Sequence, residues 1–314
     1  MRKNLPVDPM SLAAAFPPRV ESGRETTEHG GADFPLALCR REPGALPLGR
    51  MGWHWHEELQ VCVVEEGCVL FRVGEEELEA GKGSLLFINS RIPHTARPKK
   101  AEGCDGPARY LCVDFKPRLL AGLPSSLIEK RYAGPFAGER GPEAALLPRA
   151  QSAGELSRAA DAKERKQAGW ELQALGALCL LWAELLPELS RRARAGGKRS
   201  AASARSSRSA AAMIDFIEQN AARPLKLSTI ARAAHLSESE ARRVFTRTTG
   251  ESPMAYLRRR RLEQAAALLM HPGLSVEETA AACGFSSVSY FVRAFRKEKG
   301  LPPLRWRRTG RGQP

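Results

Sequence analysis

The chain has 314 residues and a formal net charge of +14, a length that accommodates about two domains with cores of their own. It begins without an apolar leader, and its longest apolar stretch, residues 172–186, is interrupted by Gln173 and Glu184, so we expect a cytoplasmic protein without a membrane span. Seven cysteines without a C-x-x-C pair or regular spacing support neither a zinc ribbon nor a disulfide framework, and we expect them to be reduced and mostly buried.

The first third of the chain is predicted to be a terminal arm followed by an antiparallel β domain. Residues 1–33 mix Pro, Gly and charge without periodicity, which favours a mobile arm. Residues 34–118 contain short β-prone runs separated by Gly-containing turns, as in a sandwich or barrel. These runs are LQVCVV, CVLFRV, EELEA, SLLFIN and RYLCVDF.

Residues 119–190 are predicted to be a helical connector. Large apolar residues recur there every three or four positions, which indicates one amphipathic helix. This stripe consists of Leu172, Leu175, Leu178, Trp182, Leu185 and Leu186. It either covers the sheet or pairs with a second copy of the chain, which would make residues 119–190 a self-association region. Residues 191–210 lack large apolar residues and are predicted to be a flexible basic linker.

The excess positive charge lies entirely in the C-terminal part. Residues 191–314 hold 25 Lys and Arg against 9 Asp and Glu, whereas residues 1–190 hold 24 against 26. This asymmetry is typical of a protein that binds a polyanion. A basic face that only promotes solubility is the alternative interpretation.

A repeat with a period of fifty residues occupies the same region. The stretch RRVFTRTTGESP, residues 242–253, matches VRAFRKEKGLPP, residues 292–303. The matched pairs are Arg243 and Arg293, Phe245 and Phe295, Gly250 and Gly300, and Pro253 and Pro303. A period in this range indicates a duplicated structural unit.

Each copy is predicted to be a helix-turn-helix. Ser237 with Glu240, and Ser275 with Glu278, have the spacing of a capping box at the start of a helix. His235 in the first copy corresponds to Gly284 in the second, at a turn where φ is expected to be positive, so we interpret His235 as a turn residue.

One helix of roughly seventeen residues, about 25 Å long, is predicted between the two units, from Pro253 to the HPG stretch. Major grooves on one face of DNA recur about every 34 Å, so such a rod could hold two recognition helices in successive grooves. The side of each recognition helix opposite its apolar face should meet the DNA. Base contacts are predicted for Ser239, Arg242, Arg243, Val288, Ser289 and Arg293, and phosphate contacts for Thr246, Arg247, Arg296 and Lys297.

Residues 227–308 resemble the double helix-turn-helix domain of AraC-type transcription regulators. The motif that carries the resemblance consists of Gly284, Phe285, Ser286, Phe291, Arg293, Phe295 and Arg296. The resemblance implies an all-α DNA-binding domain at residues 211–309, promoter DNA as partner, contact with RNA polymerase, and a role such as transcription activator. Val288 replaces a frequent Gln of the family, and Arg260 replaces a frequent apolar residue.

A second cluster of chemistry-bearing residues lies in the β domain. In the stretch GWHWHEELQVC, strand alternation would place His54, His56, Glu58 and Gln60 on one face, and His94 follows after a hairpin. This order resembles the cupin barrel, whose metal-binding members place H-x-H, a carboxylate and a further His inside the barrel. Gln60 stands at the carboxylate position. The residues either line a pocket for a small polar effector, or hold a metal, or are satisfied core histidines.

The sequence therefore predicts an α+β multidomain protein: a cupin-like antiparallel barrel, a helical connector and a double helix-turn-helix domain. We expect a homodimeric, effector-controlled transcription regulator rather than an enzyme, with no cofactor and no metal. The alternative is a metal-dependent cupin enzyme, a dioxygenase or an isomerase, fused to a DNA-binding tail.

Overall fold

The computed structural model describes residues 20–21, 24–25, 33–46, 49–100, 104, 106–138, 141–195, 201–270 and 273–309. Two compact units are present. The N-terminal unit consists mainly of Glu28–Ala211, and the C-terminal unit mainly of Ala212–Thr246 and Gly250–Pro314. The arm predicted at residues 1–33 lies largely outside the described residues, apart from the pair β1 (Val20–Glu21) and β2 (Arg24–Glu25).

The N-terminal unit is built on two antiparallel sheets. Its strands are β3 (Leu36–Arg41), β4 (Leu59–Glu66), β5 (Cys68–Val73), β6 (Glu76–Gly81), β7 (Leu85–Ile88), β8 (His94–Pro98), β9 (Arg109–Phe115) and β10 (Ala144–Leu147). One sheet has the order β10-β7-β4-β9-β3 and the other the order β6-β5-β8. The predicted antiparallel, cupin-like β architecture is thus confirmed, with all five predicted β-prone runs forming strands.

Both faces of the five-stranded sheet are buried. Leu59, Val61 and Val63 of β4 face a core shared with helices, whereas Cys62 and Val64 face a second core between the two sheets. Because successive side chains of a strand point to opposite faces, a strand covered on both sides is apolar throughout. This explains why LQVCVV shows little alternation, and it assigns Gln60 to the interior between the sheets.

Helices cover the outer face of the five-stranded sheet. They are α1 (Pro117–Ala121), α2 (Ala153–Glu164) and α3 (Trp170–Ala195), together with a π-helical turn at Glu129–Ala133. Leu178, Trp182 and Leu185 of α3 are buried, and the Trp182 ring meets Phe87 and Phe115 edge-on at 5.5 and 5.9 Å. The apolar stripe of α3 was expected either to cover the sheet or to pair with a second copy of the chain. Its central residues cover the sheet.

Helix α3 is longer than the sequence suggested. Among the described residues, it is the one helix with the length and composition to cross a membrane, although a core helix of a globular domain meets the same criterion. Seven of its side chains lie in the core beneath it. Its buried face is thus committed to the sheet.

Three expectations for this unit were wrong. The region expected to be only helical contains β10, because the short apolar run AALL pairs with β7 and forms an edge strand of the five-stranded sheet. Helix α4 (Ala201–Asn220) occupies much of the expected flexible linker, since Ala and Arg have high helix propensity even without large apolar residues. Cys68 and Cys104 form a disulfide, with Cα atoms 5.4 Å apart, because the chain folds the β8–β9 connection onto the start of β5.

In the C-terminal unit, the described residues from 212 onward form helices and no strands. Its remaining helices are α5 (Leu227–Ala233), α6 (Glu238–Thr249), α7 (Pro253–Leu268), α8 (Val276–Ala282), α9 (Val288–Lys299) and α10 (Pro303–Thr309). The predicted α+β class, with a β domain followed by a helical domain, is confirmed. The predicted connecting rod is α7, and its sixteen residues span about 24 Å.

Candidate functional site

The first helix-turn-helix consists of α5 and α6. His235 in the turn has φ of 55°, as its role as a turn residue requires. Ser237 caps α6, and Glu240 completes the reciprocal capping box. Gly250 ends α6 in the left-handed conformation, after which Ser252 caps α7 and Pro253 occupies its first turn.

The second helix-turn-helix consists of α8 and α9, and its capping box lies on the first helix of the pair, whereas Ser287 alone caps α9. Ser275 and Glu278 form the capping box of α8, and Gly300 ends α9 in the left-handed conformation. Gly284 in the turn has φ of 78°. A Cβ atom there would lie 2.7 Å from the carbonyl oxygen of Ala222, so only glycine fits this turn.

Helix α7 contributes to the cores of both helix-turn-helix units. Near its start, the Tyr256 ring packs on Phe245 of α6 with ring centroids 5.4 Å apart. In its second half, Leu262, Ala265, Ala266 and Leu269 share a core with Phe291 and Phe295 of α9. The two units are therefore joined by a packed helix and not by a loose connection.

Most of the predicted DNA-contacting side chains are exposed on α6 and α9. The exposed residues are Ser239, Arg242, Arg243, Thr246, Arg247, Ser289, Arg293, Arg296 and Lys297. Val288 is half-buried and packs partly against the core of the second unit. The individual DNA contacts remain predictions.

A group of buried polar side chains lies between the two sheets of the N-terminal unit. His54, His56, Gln60, His94 and Asp114 are each at most 5% exposed. Gln60 and Asp114 are directly opposite on β4 and β9, and the Gln60 amide donates a hydrogen bond of 2.7 Å to Asp114 Oδ1. We call these five residues the polar cluster.

The three histidines come together although the strand predicted to carry His54 and His56 is absent. Strand β4 begins only at Leu59, and His54 forms an isolated bridge with His94. The ring centroids are 4.1 Å apart for His54 and His94, 5.0 Å for His56 and His94, and 6.2 Å for His54 and His56. Glu58 is half-buried and takes part through its backbone carbonyl, which contacts His56 Nδ1.

The backbone fixes the orientation of all three imidazole rings. Nδ1 of His54, His56 and His94 lies 2.9, 3.1 and 2.8 Å from a main-chain carbonyl oxygen. A carbonyl only accepts, so Nδ1 donates and Nε2 carries the lone pair in each neutral ring. The His56 Nε2 atom is 3.7 Å from Asp114 Oδ1. The cluster therefore presents mainly hydrogen-bond acceptors.

The surroundings of the polar cluster keep the His54 ring uncharged and place two thiols beside it. Burial, aided by His56, lowers the pKa of His54 to about 3. The next residues along β4 and β9 on the same face are Cys62 and Cys112, and burial raises the pKa of both thiols. Two protonated thiols thus lie beside the polar cluster.

Within the described parts of the chain, no group of three or more His, Cys, Asp or Glu side chains is arranged to hold a metal ion. Asp114 was missed in the sequence, where the signal was a lone carboxylate within the buried, apolar part of the strand RYLCVDF.

Comparisons with known proteins find matches for both the N-terminal and the C-terminal unit. Residues 44–181 match the model of the AraC-like ligand binding domain, and residues 230–309 match that of a helix-turn-helix domain. The uncharacterized HTH-type transcriptional regulator YdeC of Bacillus subtilis is 27% identical over 91% of this chain and 96% of its own length.

Other relatives match the C-terminal unit alone. The transcriptional activator RhaR of Cronobacter sakazakii is 37% identical over 27% of this chain, and the match spans only 30% of RhaR. A solved AraC-type DNA-binding regulator from Chromobacterium violaceum is 27% identical, with a TM-score of 0.31, over 32% of this chain and 91% of that one.

The chain is a DNA-binding transcription regulator. It has two capped helix-turn-helix units and a separate β domain that matches a ligand-binding family. The chain belongs to the AraC-type transcription regulators, with a ligand-binding domain before the DNA-binding domain.

Proposed function

We propose that the chain recognises promoter DNA through the exposed side chains of α6 and α9 listed above, with Arg243 and Arg293 as the principal base-reading residues. The observation that carries this proposal is that two helices flank one packed rod, each capped by a serine, ended by a left-handed glycine and carrying an exposed arginine at the same repeat position. Arginine donates two hydrogen bonds to guanine, and each such pair discriminates by about 1–3 kcal/mol.

Footprinting and binding assays with the full chain test this assignment. Arg243→Ala and Arg293→Ala should each weaken binding to the upstream promoter fragment by roughly 5- to 150-fold and relax sequence preference at separate positions. Arg258→Ala is the matched control, since Arg258 is exposed on α7 outside the recognition helices. Unchanged sequence preference in both variants would refute the assignment.

We further propose that a small polar effector binds at the polar cluster and controls DNA binding. Five buried polar side chains, each oriented by a hydrogen bond, converge between two apolar sheets, as the few polar groups of a small-molecule site do. Because the cluster presents mainly acceptors, the effector should carry hydrogen-bond donors, as amines and polyols do. It would act by binding two arrangements of the protein with different affinity.

Variants of similar volume test the effector site. His94→Leu and Gln60→Met remove polar groups while keeping bulk, so operator binding without effector should persist. A panel of amines, polyols and carboxylates is then screened by thermal shift against the wild type and both variants. Donor-bearing compounds that stabilise only the wild type and change its operator affinity support the site, whereas a compound that acts equally on His94→Leu places its site elsewhere.

Self-association through the outer face of α3 is a further part of the proposal. This face is uncharged over four turns and carries exposed Leu172 and Leu180, which are 75% and 51% exposed, with Gly176, Cys179 and Ala183 between and beside them. Small residues allow close approach of two helices, and a two-fold axis near Cys179 would place the same patch of two copies in contact.

The position of Cys179 supplies a direct test of this homodimer. Mild oxidation should produce a disulfide-linked dimer through Cys179, and Cys179→Ser should abolish the cross-link without changing the mass in solution. Leu180→Glu should shift the protein to the monomer in light scattering. A wild-type monomer at micromolar concentration contradicts this part of the proposal.

RNA polymerase is the expected partner at activated promoters, and the cytoplasm is the expected compartment.

A further inference from the structure

The arginine run at residues 258–261 of α7 is mostly occupied within the protein. Arg258 is exposed, but Arg261 donates to the backbone carbonyls of Ala221 and Arg223, each at 2.7 Å, near the end of α4. Arg259 and Arg260 are held by carboxylates. We propose that Glu218, Arg259 and Arg260 are positioning residues that fix the register between the two helix-turn-helix units. This inference rests on the proposed reading of DNA by both units.

Glu218 joins α4 to the middle of the rod. The Tyr256 hydroxyl donates to Glu218 Oε1 at 2.9 Å, and Arg260 Nε donates to Glu218 Oε2. The Glu218 side chain is only 4% exposed and that of Arg260 27%. Two residues one turn apart on α7 therefore donate hydrogen bonds to one carboxylate of α4. These bonds fix the position of α7 relative to α4 and its rotation about its own axis.

Arg259 carries the same network along the rod. Its Nε and Nη2 atoms donate to Glu251 Oε1 at 3.0 and 2.7 Å, and its Nη1 atom donates to Glu263. The guanidinium carbon lies 4.6 Å from the centroid of the Tyr256 ring. Burial opposes the charged form, but the carboxylates of Glu263 and Glu251 outweigh it and raise the pKa of Arg259. The arginine stays charged and bound.

The network lies where α7 passes from one core to the other. Tyr256 packs on Phe245 of the first unit, whereas Leu262 packs in the core of the second. Apolar contacts tolerate small rotations, but ion pairs with defined hydrogen bonds are directional, and replacing them by apolar residues often preserves stability while removing a geometric constraint. The network is thus placed to select one twist between the units.

An operator with altered spacing tests this role. Inserting two base pairs between the half-sites turns one site by about 70° and moves it by about 7 Å. The wild type should lose at least roughly tenfold in affinity, because base contacts of one unit are lost. Glu218→Leu combined with Arg260→Leu should bind the original operator but discriminate less than about threefold against the respaced one.

Controls separate this inference from the proposed function. Arg258→Leu removes a neighbouring exposed charge and should keep the wild-type dependence on spacing. Arg260→Leu should leave the salt dependence of binding unchanged, since Arg260 is paired with Glu218; a slope lower by about one would mean that Arg260 contacts phosphate and would overturn the inference. Wild-type spacing dependence in the double variant would also overturn it. Failure of the proposed function appears instead as a wild type that protects no operator.

Discussion

Replacing Gly284 by alanine should weaken the second helix-turn-helix far more than any comparable change in the first. Gly284 has φ of 78°, and an added Cβ would lie 2.7 and 2.9 Å from the carbonyl oxygens of Ala222 and Ala221. These are backbone atoms, so no side-chain rotation relieves the contact. The left-handed conformation costs a residue with a Cβ about 1–2 kcal/mol, and overpacking costs about 1–3 kcal/mol more.

The sum, about 2–5 kcal/mol, should appear as local opening of α8 and α9. Amide hydrogen exchange of the full chain, followed by mass spectrometry of α9 peptides, measures it without requiring one global unfolding transition. Exchange through opening should accelerate about 30-fold or more. Operator affinity should fall in parallel, because the turn sets the angle at which α9 is presented.

His235→Ala provides the matched control in the first repeat. His235 occupies the equivalent turn with φ of 55° and already carries a Cβ there, so the change should shift opening by no more than about 1 kcal/mol. If Gly284→Ala exchanged like the wild type, or if both variants had equal effects, the close approach at this turn would not be what fixes the second unit.

Three further outcomes follow from other parts of the molecule. The folded-state pKa of His54 is about 3, below the unfolded value near 6.5, so the unfolded chain binds the proton more tightly. The free energy of unfolding is therefore unaffected by His54 above about pH 6.5 and falls by about 1.4 kcal/mol per pH unit as the pH drops from there toward 3. Thermal melts should show a smaller loss of stability between pH 7 and pH 5 in His54→Gln than in the wild type. Opening the Cys68–Cys104 disulfide, which spans 36 positions, should lower the stability of the N-terminal unit by about 4 kcal/mol, seen as a lower urea midpoint in Cys68→Ser with Cys104→Ser but not in Cys179→Ser. Ser275→Ala should cost about 1 kcal/mol through loss of the α8 cap, and unchanged exchange in α8 peptides would count against that cap.

Local rules were sufficient for the DNA-binding region. Capping boxes, left-handed glycines and prolines at helix starts depend on a few neighbouring residues, so the patterns around Ser237 and Ser275 predicted where α6 and α8 begin. The five β-prone runs were equally legible, because turn residues separate them. His235 shows the same locality, since a turn requires positive φ whatever surrounds it.

Polar residues in the arginine run and the β domain could not be assigned in this way. Arg260 looks like any basic residue of a DNA-binding domain until Glu218, 42 positions earlier, is found beside it. Asp114 joins the polar cluster only because β9 pairs with β4 and brings it opposite Gln60. Neither partner is visible in local periodicity.

The sequence by itself determined the repeat, the helices of the two helix-turn-helix units, the sheet-forming runs and the family, since each depends on backbone preferences within a few residues. Only the tertiary structure decided which charges are consumed inside the protein, that Ala144–Leu147 completes a sheet, and that Cys68 meets Cys104. These features arise between segments far apart in the chain, where the free energy depends on three-dimensional proximity and burial and not on local conformational preference.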